Sequence, residues 1–493
     1  VAKDVSTSLF GTVVSLAESP VKEGLVFSGS DDGVIQILKD GEWHKISTFP
    51  GIPEYTYISD ICPSNFDENT VFVTFDNLKR DDFKPYILKS DDLGKTWTML
   101  VEGLPENGTV HTIVQDFVSP EILFCGTEFG AFASIDGGKK WNKISKGLPT
   151  IAVRDMVIQK THNDLVAATF GRGFYVLDDF SPLREYKEIT EAGKAAFFAV
   201  PNGKMFTMKG GKGSQGSNFY RAKNPDFGAI ITYYIDSVPS TAKSERKKKE
   251  KELFKESKPI PQPTVEQLRE EEQAIAPHLI FTIRNSDGIV VRKIREKASK
   301  GVGSISWDMK YDNTMYPIRL RENKYQPTRN SGGAFPVLPG TYTVEMAMFN
   351  EGEVKPLAGP VSFETELLHL GTLKDENREE TLAFVNQFGD LARVIRGTEK
   401  FADDLQERVE HIRQAMNNNT MADEAMLIKA HALANEISDI RYAFYGPEAK
   451  ASFEEVPPHQ LSINERMSAV SRAMWGAETG VTKVMSDNYQ ILT

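Results

Sequence analysis

Cysteine is scarce in this chain: Cys62 and Cys125 are the only two among 493 residues. One pair cannot staple a chain of this length, so a disulfide framework is excluded and the thiols do not decide the compartment. No stretch approaches the ~20 apolar residues of a membrane-crossing helix. Basic charge is short as well, with 58 Lys+Arg against 69 Asp+Glu and a formal net charge of −11. That removes the basic footprint that general binding to a phosphate backbone requires. The 8 histidines fall into no H-x-H or H-E-x-x-H spacing and none has a cysteine at ligand spacing, so no transition-metal site is read. No G-x-S-x-G nucleophile turn occurs. The run from Gly210 to Ser217 is rich in glycine but lacks the order of a phosphate loop, and it reads as a flexible loop.

What is present is an ordinary globular composition, 40% hydrophobic and 26% charged. The length implies two to four domains. The chain starts at Val1 with no secretory n-region and h-region after it, which reads as a processed or trimmed start.

Self-similarity dominates residues 1 to about 180. Gly29 to Gln36, Gly126 to Ser134 and Thr169 to Val176 each read as strand, tight glycine turn, strand. Gly173 follows Gly130 by 43 residues, and Trp141 follows Trp97 by 44. Trp43 precedes Trp97 by 54, the surplus being a polar insert from Asp76 to Asp82 that lengthens one hairpin. Each unit opens with an apolar strand, at Val13 to Ala17, Ile58 to Cys62, Val110 to Val114 and Val153 to Val157. A period near 44 with about four short strands per unit predicts propeller blades.

Two units carry a sharper mark. Ser90-Asp91-Asp92-Leu93-Gly94-Lys95-Thr96-Trp97 fits S-x-D-x-G-x-T-W, and Ser134, Asp136, Gly138 and Trp141 repeat it with Lys140 in the threonine place. Physically this is a hairpin clasp. Ser and Asp side chains bond turn N–H groups, Gly takes a positive φ, and Trp plugs between blades. On these residues the chain resembles the bacterial neuraminidase-repeat, or Asp-box, superfamily of propellers. The fourth unit, Leu165 to Asp179, resembles the closing blade of large bacterial proteins of this kind, the "glycosyl hydrolase" relatives of sortilin-type ectodomains. Their closing string is T-H-G-R-G-x-W-x-L-D-D. Here Phe170 stands in the histidine place and Tyr175 in the tryptophan place.

The resemblance implies a propeller of six or more blades, of which four are legible here. A further, N-terminal half would then come from the same precursor or another chain, and the setting would be secreted or cell-envelope, in a bacterium. It also implies an immunoglobulin-like sandwich after the propeller, where Ala229 to Ile235, His278 to Arg284, Ile289 to Ile294, Ser304 to Asp308 and Leu338 to Met346 alternate at period two. A charged insert at 237–277, with Lys247-Lys248-Lys249 among acidic neighbours, reads as a solvated helix or hairpin rather than a nucleic-acid or lipid patch. From Asp375 the period turns helical: Leu382 to Ile395 carries one apolar stripe and Phe401 to Met416 another, with Gly397 read as a break between two helices. Met421 to Phe444 is a further helix, and Ser462 with Glu465 forms a capping box for the last. The predicted fold is mainly β with a helical C-terminus: Asp-box propeller blades over 1–185, sandwich over 186–372, helical bundle over 373–493.

A propeller places chemistry on the innermost strands. Aligned on their apolar positions, these put Ser15, Asp60, Thr112 and Asp155 at one place, with Val14, Ser59, His111 and Arg154 beside them. Asp60, Asp155, Arg154, His111 and Arg172 of the closing blade are therefore the candidate channel-facing groups. Two carboxylates across a pocket are what glycoside hydrolysis needs. The F/Y-R-I-P string of sialidases is absent from these residues. The duller alternative is that these side chains cap turns or pair with each other. No cofactor is assigned, since Asp31-Asp32 and Asp81-Asp82 could offer carboxylates to calcium but belong to no dedicated loop motif. Two readings follow: an extracytoplasmic scaffold binding protein, peptide or glycan on a propeller face, or a glycoside hydrolase using channel carboxylates.

Overall fold

Within the first 193 residues the period-two apolar positions become four sheets of consecutive antiparallel strands. The computed structural model describes residues 11–206, 222, 224–312, 335–368, 377–448, 452–476 and 480–493; Val1 and the glycine-rich run at 210–217 lie outside them. Blade 1 holds β1 (Val13–Glu18), β2 (Val26–Ser30), β3 (Ile35–Lys39) and β4 (Glu42–Ile46). Blade 2 holds β5 (Tyr57–Pro63), β6 (Val71–Asn77), β7 (Asp82–Ser90) and β8 (Thr98–Met99). Blade 3 holds β9 (Val110–Gln115), β10 (Leu123–Thr127), β11 (Gly130–Ser134) and β12 (Asn142–Ile144). Blade 4 has three strands, β13 (Val153–Gln159), β14 (Asp164–Thr169) and β15 (Phe174–Leu177).

Consecutive blades bury one face each against the next. Phe27, Ile35 and Ile37 of blade 1 meet Ile58, Ile61, Val73 and Phe75 of blade 2. Phe72 and Ile87 then meet Val110, Ile113, Leu123 and Cys125 of blade 3, and Phe124, Ala131 and Ala133 meet Val153, Met156, Leu165 and Ala167 of blade 4. This sheet-on-sheet succession, with each blade meandering through its strands in sequence order, is propeller packing.

The Asp boxes act as clasps. Ser90 Oγ accepts from Gly94 N–H at 2.7 Å, and Asp92 accepts from Thr96 N–H at 2.8 Å and Thr96 Oγ1 at 2.7 Å. Ser134 and Asp136 repeat the pattern on Gly138 N–H at 2.9 Å and Lys140 N–H at 3.0 Å. Gly94 sits at φ +81°, a left-handed conformation that favours glycine. Trp141 is buried between blades 2 and 3 and donates to Leu100 O at 2.9 Å. Trp43, counted with it in the repeat, lies half-exposed on the outermost strand instead. Spacing alone does not distinguish the two environments.

The segment after blade 4 is a helix, α1 (Pro182–Glu191). Its Arg184 grips the fully buried Asp116 with two bonds of 2.8 Å and lies over the Phe117 and Phe180 rings. This ties the helix to the end of blade 3.

The second compact unit spans Lys194–Thr493. Its sheets are β16 (Ala196–Phe197), β18 (Ala229–Ile235) and β21 (Gly301–Trp307), and a five-stranded one from β17 (Gly203–Met205), β19 (His278–Asn285), β20 (Val290–Lys297), β22 (Gly340–Asn350) and β23 (Glu353–Leu367). They share one core, with Ile231, Phe281, Ile283, Trp307 and Val344 at its centre. The charged insert forms two helices, α2 (Ala242–Lys255) and α3 (Val265–Gln273), bridged by Arg246 to Glu271 at 2.6 Å.

Among the described residues, four α-helices follow: α4 (Arg378–Asn417), α5 (Glu424–Tyr445), α6 (Ile463–Gly476) and α7 (Lys483–Leu492). The break expected at Gly397 does not occur. Helix α4 runs through it, since a mid-helix glycine costs only about 1 kcal/mol and the flanking Arg396–Glu399 and Arg396–Asn464 bonds hold the turn. The capping box forms as read, with Ser462 N–H on Glu465 at 2.7 Å and Glu465 N–H on Ser462 Oγ at 3.3 Å.

Candidate functional site

One irregularity repeats in all four innermost strands. The pairing of β1 with β2, β5 with β6, β9 with β10 and β13 with β14 slips by one residue, which leaves Val14, Ser59, His111 and Arg154 unpaired as bulges. A bulge re-aims its side chain out of the regular alternation. Ser59, His111 and Arg154 thereby converge on one cleft of about 410 Å³, closed at the side by Tyr55, Tyr57 and the Asp76–Arg80 hairpin.

At its base is a charged network. The buried His111 places Nε2 2.9 Å from Glu128 Oε2, while Arg154 Nη1 lies 3.2 Å from His111 Nδ1. Asp76 Oδ2 approaches Nδ1 at 3.5 Å, and Arg154 Nη2 reaches Glu128 at 3.3 Å. Burial works to raise the Asp76 pKa, but His111, the Leu78 N–H and Arg154 outweigh it and hold the carboxyl below its ordinary range. Burial, then the Asp76 and Asp31 charges, push the Tyr57 hydroxyl up, so it stays a neutral donor.

The rim alternates aromatic and cationic groups. Lys79 Nζ lies 5.7 Å from the Tyr57 ring, Arg80 is 5.6 Å from Tyr55, and Arg154 is 5.6 Å from Phe170. Such pairs stiffen long cationic side chains and present flat apolar faces beside charge. Asp31 also lines the cleft, its Oδ1 accepting from Gly11 and Thr12 N–H at 2.8 and 2.9 Å.

Of the five residues singled out in the sequence, the fold brings His111 and Arg154 together. Asp60 is elsewhere: its Oδ1 accepts from Ile61 N–H at 2.8 Å, and its Oδ2 from Thr112 Oγ1 and Ile113 N–H, both at 2.9 Å. It is a clasp from blade 2 to blade 3. Asp155 is exposed and accepts from Met156 N–H at 2.8 Å, and Arg172 is exposed on the β14–β15 turn. Neither aspartate lines the cleft. Asp76, Glu128, Tyr55, Tyr57, Lys79 and Arg80 were not singled out. Their one signal was the insert at 76–82, where Lys79-Arg80 follows two tyrosines by about two dozen residues. Among the described residues no cluster of three His, Cys, Asp or Glu side chains could hold a metal ion, and Asp82 is engaged with Asn77 and Tyr86.

Blade order, blade-to-blade burial and the hairpin clasps define the class: a mainly β protein with a propeller fold and a helical C-terminus. No protein-family model matches the chain, and no curated protein sequence does. Among solved structures it is similar to YCF48 bound to D1 peptide, at 13% identity over 35% of this chain and 52% of that one, with a TM-score of 0.28. It is similar too to YCF48 from Cyanidioschyzon merolae, at 16% over 34% and 53% with a TM-score of 0.28. A third is the Cps50 (Swd1) β-propeller domain of Myceliophteria thermophila, at 14% over 33% and 51% with a TM-score of 0.26. The chain spans about half the length of each of these structures.

Proposed function

We propose that this is an extracytoplasmic binding or scaffold protein of the Asp-box propeller type, and that the cleft between Tyr57 and Arg154 holds an extended segment of a protein partner. The observation that carries the reading is the convergence of three bulged side chains from three blades onto one open cleft with aromatic walls and fixed charges of both signs. Flat rings with adjacent guanidinium and carboxylate groups suit a peptide, whose backbone and side chains offer donors, acceptors and apolar surface together. The secreted or cell-envelope setting rests on the Asp-box resemblance, as does our reading of the two packed sheets as an immunoglobulin-like sandwich.

The hydrolase reading asked for Asp60 and Asp155 across a pocket. Both oxygens of Asp60 are taken by N–H and hydroxyl groups of its own and the next blade, and Asp155 stands outside the cleft. Binding is therefore the better-supported function.

The test is selection of a displayed peptide library on the immobilised protein, followed by calorimetry with Tyr57→Ala and Arg154→Ala. Selected peptides should lose at least tenfold in affinity in each variant at unchanged Tm. Peptides that bind both variants like the parent, or a protein that selects only oligosaccharides from a glycan array, would overturn the peptide reading.

A further inference from the structure

The antiparallel hairpin of α4 and α5 carries more apolar surface than its two helices cover for each other. Among the described residues, α4 beyond Ile395 and α5 before Phe444 share one small cluster, Val409, Ala434 and Ile437, with Leu405 packed partly against it. A helix pair in water depends on its buried apolar face more than on helix propensity, so three clustered side chains leave this pair under-packed. Beside the cluster, Met426, Leu433 and Ile440 recur every seven residues on α5 and are 57%, 47% and 49% exposed. On α4, Phe401 and Ile412 are 60% and 48% exposed. An apolar repeat of seven marks a seam between packed helices.

The exposed stripes share one side of the hairpin. Met426, Leu433 and Ile440 each stand four positions before a buried residue, Ala430, Ile437 and Phe444, and on α4 Leu405 stands four before the buried Val409. In an antiparallel pair the same offset from the shared seam points to the same side on both helices. The other side is taken by polar contacts: Arg441 donates to Asp403 at 3.1 Å, and Asn464 of α6 donates to Glu399 at 3.0 Å. The Arg441–Asp403 pair also sets the register. Five residues beyond Asp403 and five before Arg441, Arg408 and Glu436 stand level on the open side, exposed and with no partner among the described residues. Two helical turns away, Phe401 stands level with the exposed Ala443.

We propose that this face binds a second copy of the chain, whose own α4–α5 face completes a four-helix bundle. The two-fold axis runs along the hairpins, so that α4 of each copy lies antiparallel on α5 of the other. Arg408 of each copy then meets Glu436 of the other, and each Phe401 covers the small Ala443 across the interface. Stacking like helix on like helix at this level sets Arg408 against Arg408 and Glu436 against Glu436, so the charges select the first arrangement. The face is about 20 residues long, or ~30 Å, and two helices of ~10 Å wide, so two copies bury on the order of 1,200 Å², which reaches the range of stable interfaces. The surface belongs to the second unit and does not depend on the reading of the cleft.

The experiment is sedimentation equilibrium of the purified 493-residue chain, which should give a molar mass of twice 55.1 kDa. Arg408→Glu and Glu436→Arg should each weaken the dimer at least tenfold while circular dichroism stays at the parent's helical content. Mixed in equal amounts, the two variants should regain the parent's dimer, because in a mixed dimer each reversed charge meets an opposite one. Pairing within one chain cannot produce that recovery. A mass of 55.1 kDa at every concentration would overturn the proposal, as would a dimer that both variants form as tightly as the parent. A mixture no more dimeric than either variant alone would overturn the arrangement of α4 on α5. Peptide affinity at the cleft is a separate readout, so the two can fail independently.

Discussion

Asp60 and Asp155 occupy the same register two blades apart, but only Asp60 holds the hydroxyl and amide of a following blade, Thr112 and Ile113. The pair shows how a repeated sequence position becomes a structural clasp in one blade and an open acceptor in another.

Asp60→Ala leaves the Thr112 hydroxyl and Ile113 amide without their acceptor and should cost about 1–3 kcal/mol. Asp155→Ala, in the chain alone, should leave the urea midpoint nearly unchanged. Burial raises the Asp60 pKa above its ordinary 3.8, against three hydrogen bonds that lower it, and the Asp155 charge adds to the rise. Between 3.8 and the raised value the folded state binds the extra proton, so Asp60's contribution to stability falls as pH rises through that window. Asp60→Asn keeps an acceptor and removes the charge. Its midpoint relative to the parent should therefore improve from pH 4 to pH 7, and a constant difference would contradict the assignment.

Arg184 and Asp116 are a buried, doubly bonded pair with the guanidinium packed on Phe117 and Phe180. Arg184→Ala strands the carboxylate and should destabilise the propeller unit by roughly 3–5 kcal/mol. Arg184→Lys, which supplies charge without the fork, should recover only part of it. A denaturation midpoint equal to the parent's in Arg184→Ala would refute the role.

The Asp92 carboxyl is held down to about 2 by the Thr96 hydroxyl and amide, the largest contributions, with Ser90 assisting. Its stabilisation is complete above the ordinary value of 3.8 and is lost as pH falls from there through about 2. Asp92→Asn should shift acid unfolding of this hairpin to higher pH, seen as earlier proteolytic cutting near Lys95 in an acid titration. Unchanged cutting would mean that the clasp does not depend on charge.

Burial pushes the Cys62 thiol up to about 12 and the Cys125 thiol well above its ordinary 9.0. Neither should react with iodoacetamide at pH 8 in the native protein, and both should react in denaturant. Rapid native labelling of Cys125 would contradict its position in the core between blades 2 and 3.

Much of the propeller is legible in sequence because its determinants are local. The Asp box needs only eight consecutive residues, and its hydrogen bonds run from Ser90 and Asp92 to N–H groups four residues on. The cleft is not local. His111 and Arg154 stand out in alignment, but their outward aim comes from a one-residue slip in pairing that no periodicity reports, and Glu128 arrives from the turn of a neighbouring hairpin. Asp60 attracts notice as a carboxylate near the axis, although its partners lie more than fifty residues away and make it structural. Gly397 misleads for the opposite reason: a glycine signals a break only where the chain needs a positive φ or has lost its packing, and α4 needs neither.

The most direct measurement is calorimetry of a selected peptide against the parent protein, Tyr57→Ala, Arg154→Ala and, as a control on the far turn, Arg172→Ala. Loss of at least tenfold in the first two variants, with Arg172→Ala and all Tm values unchanged, is the result that a binding cleft between blades 2 and 4 requires. Equal affinity across all four proteins would contradict it.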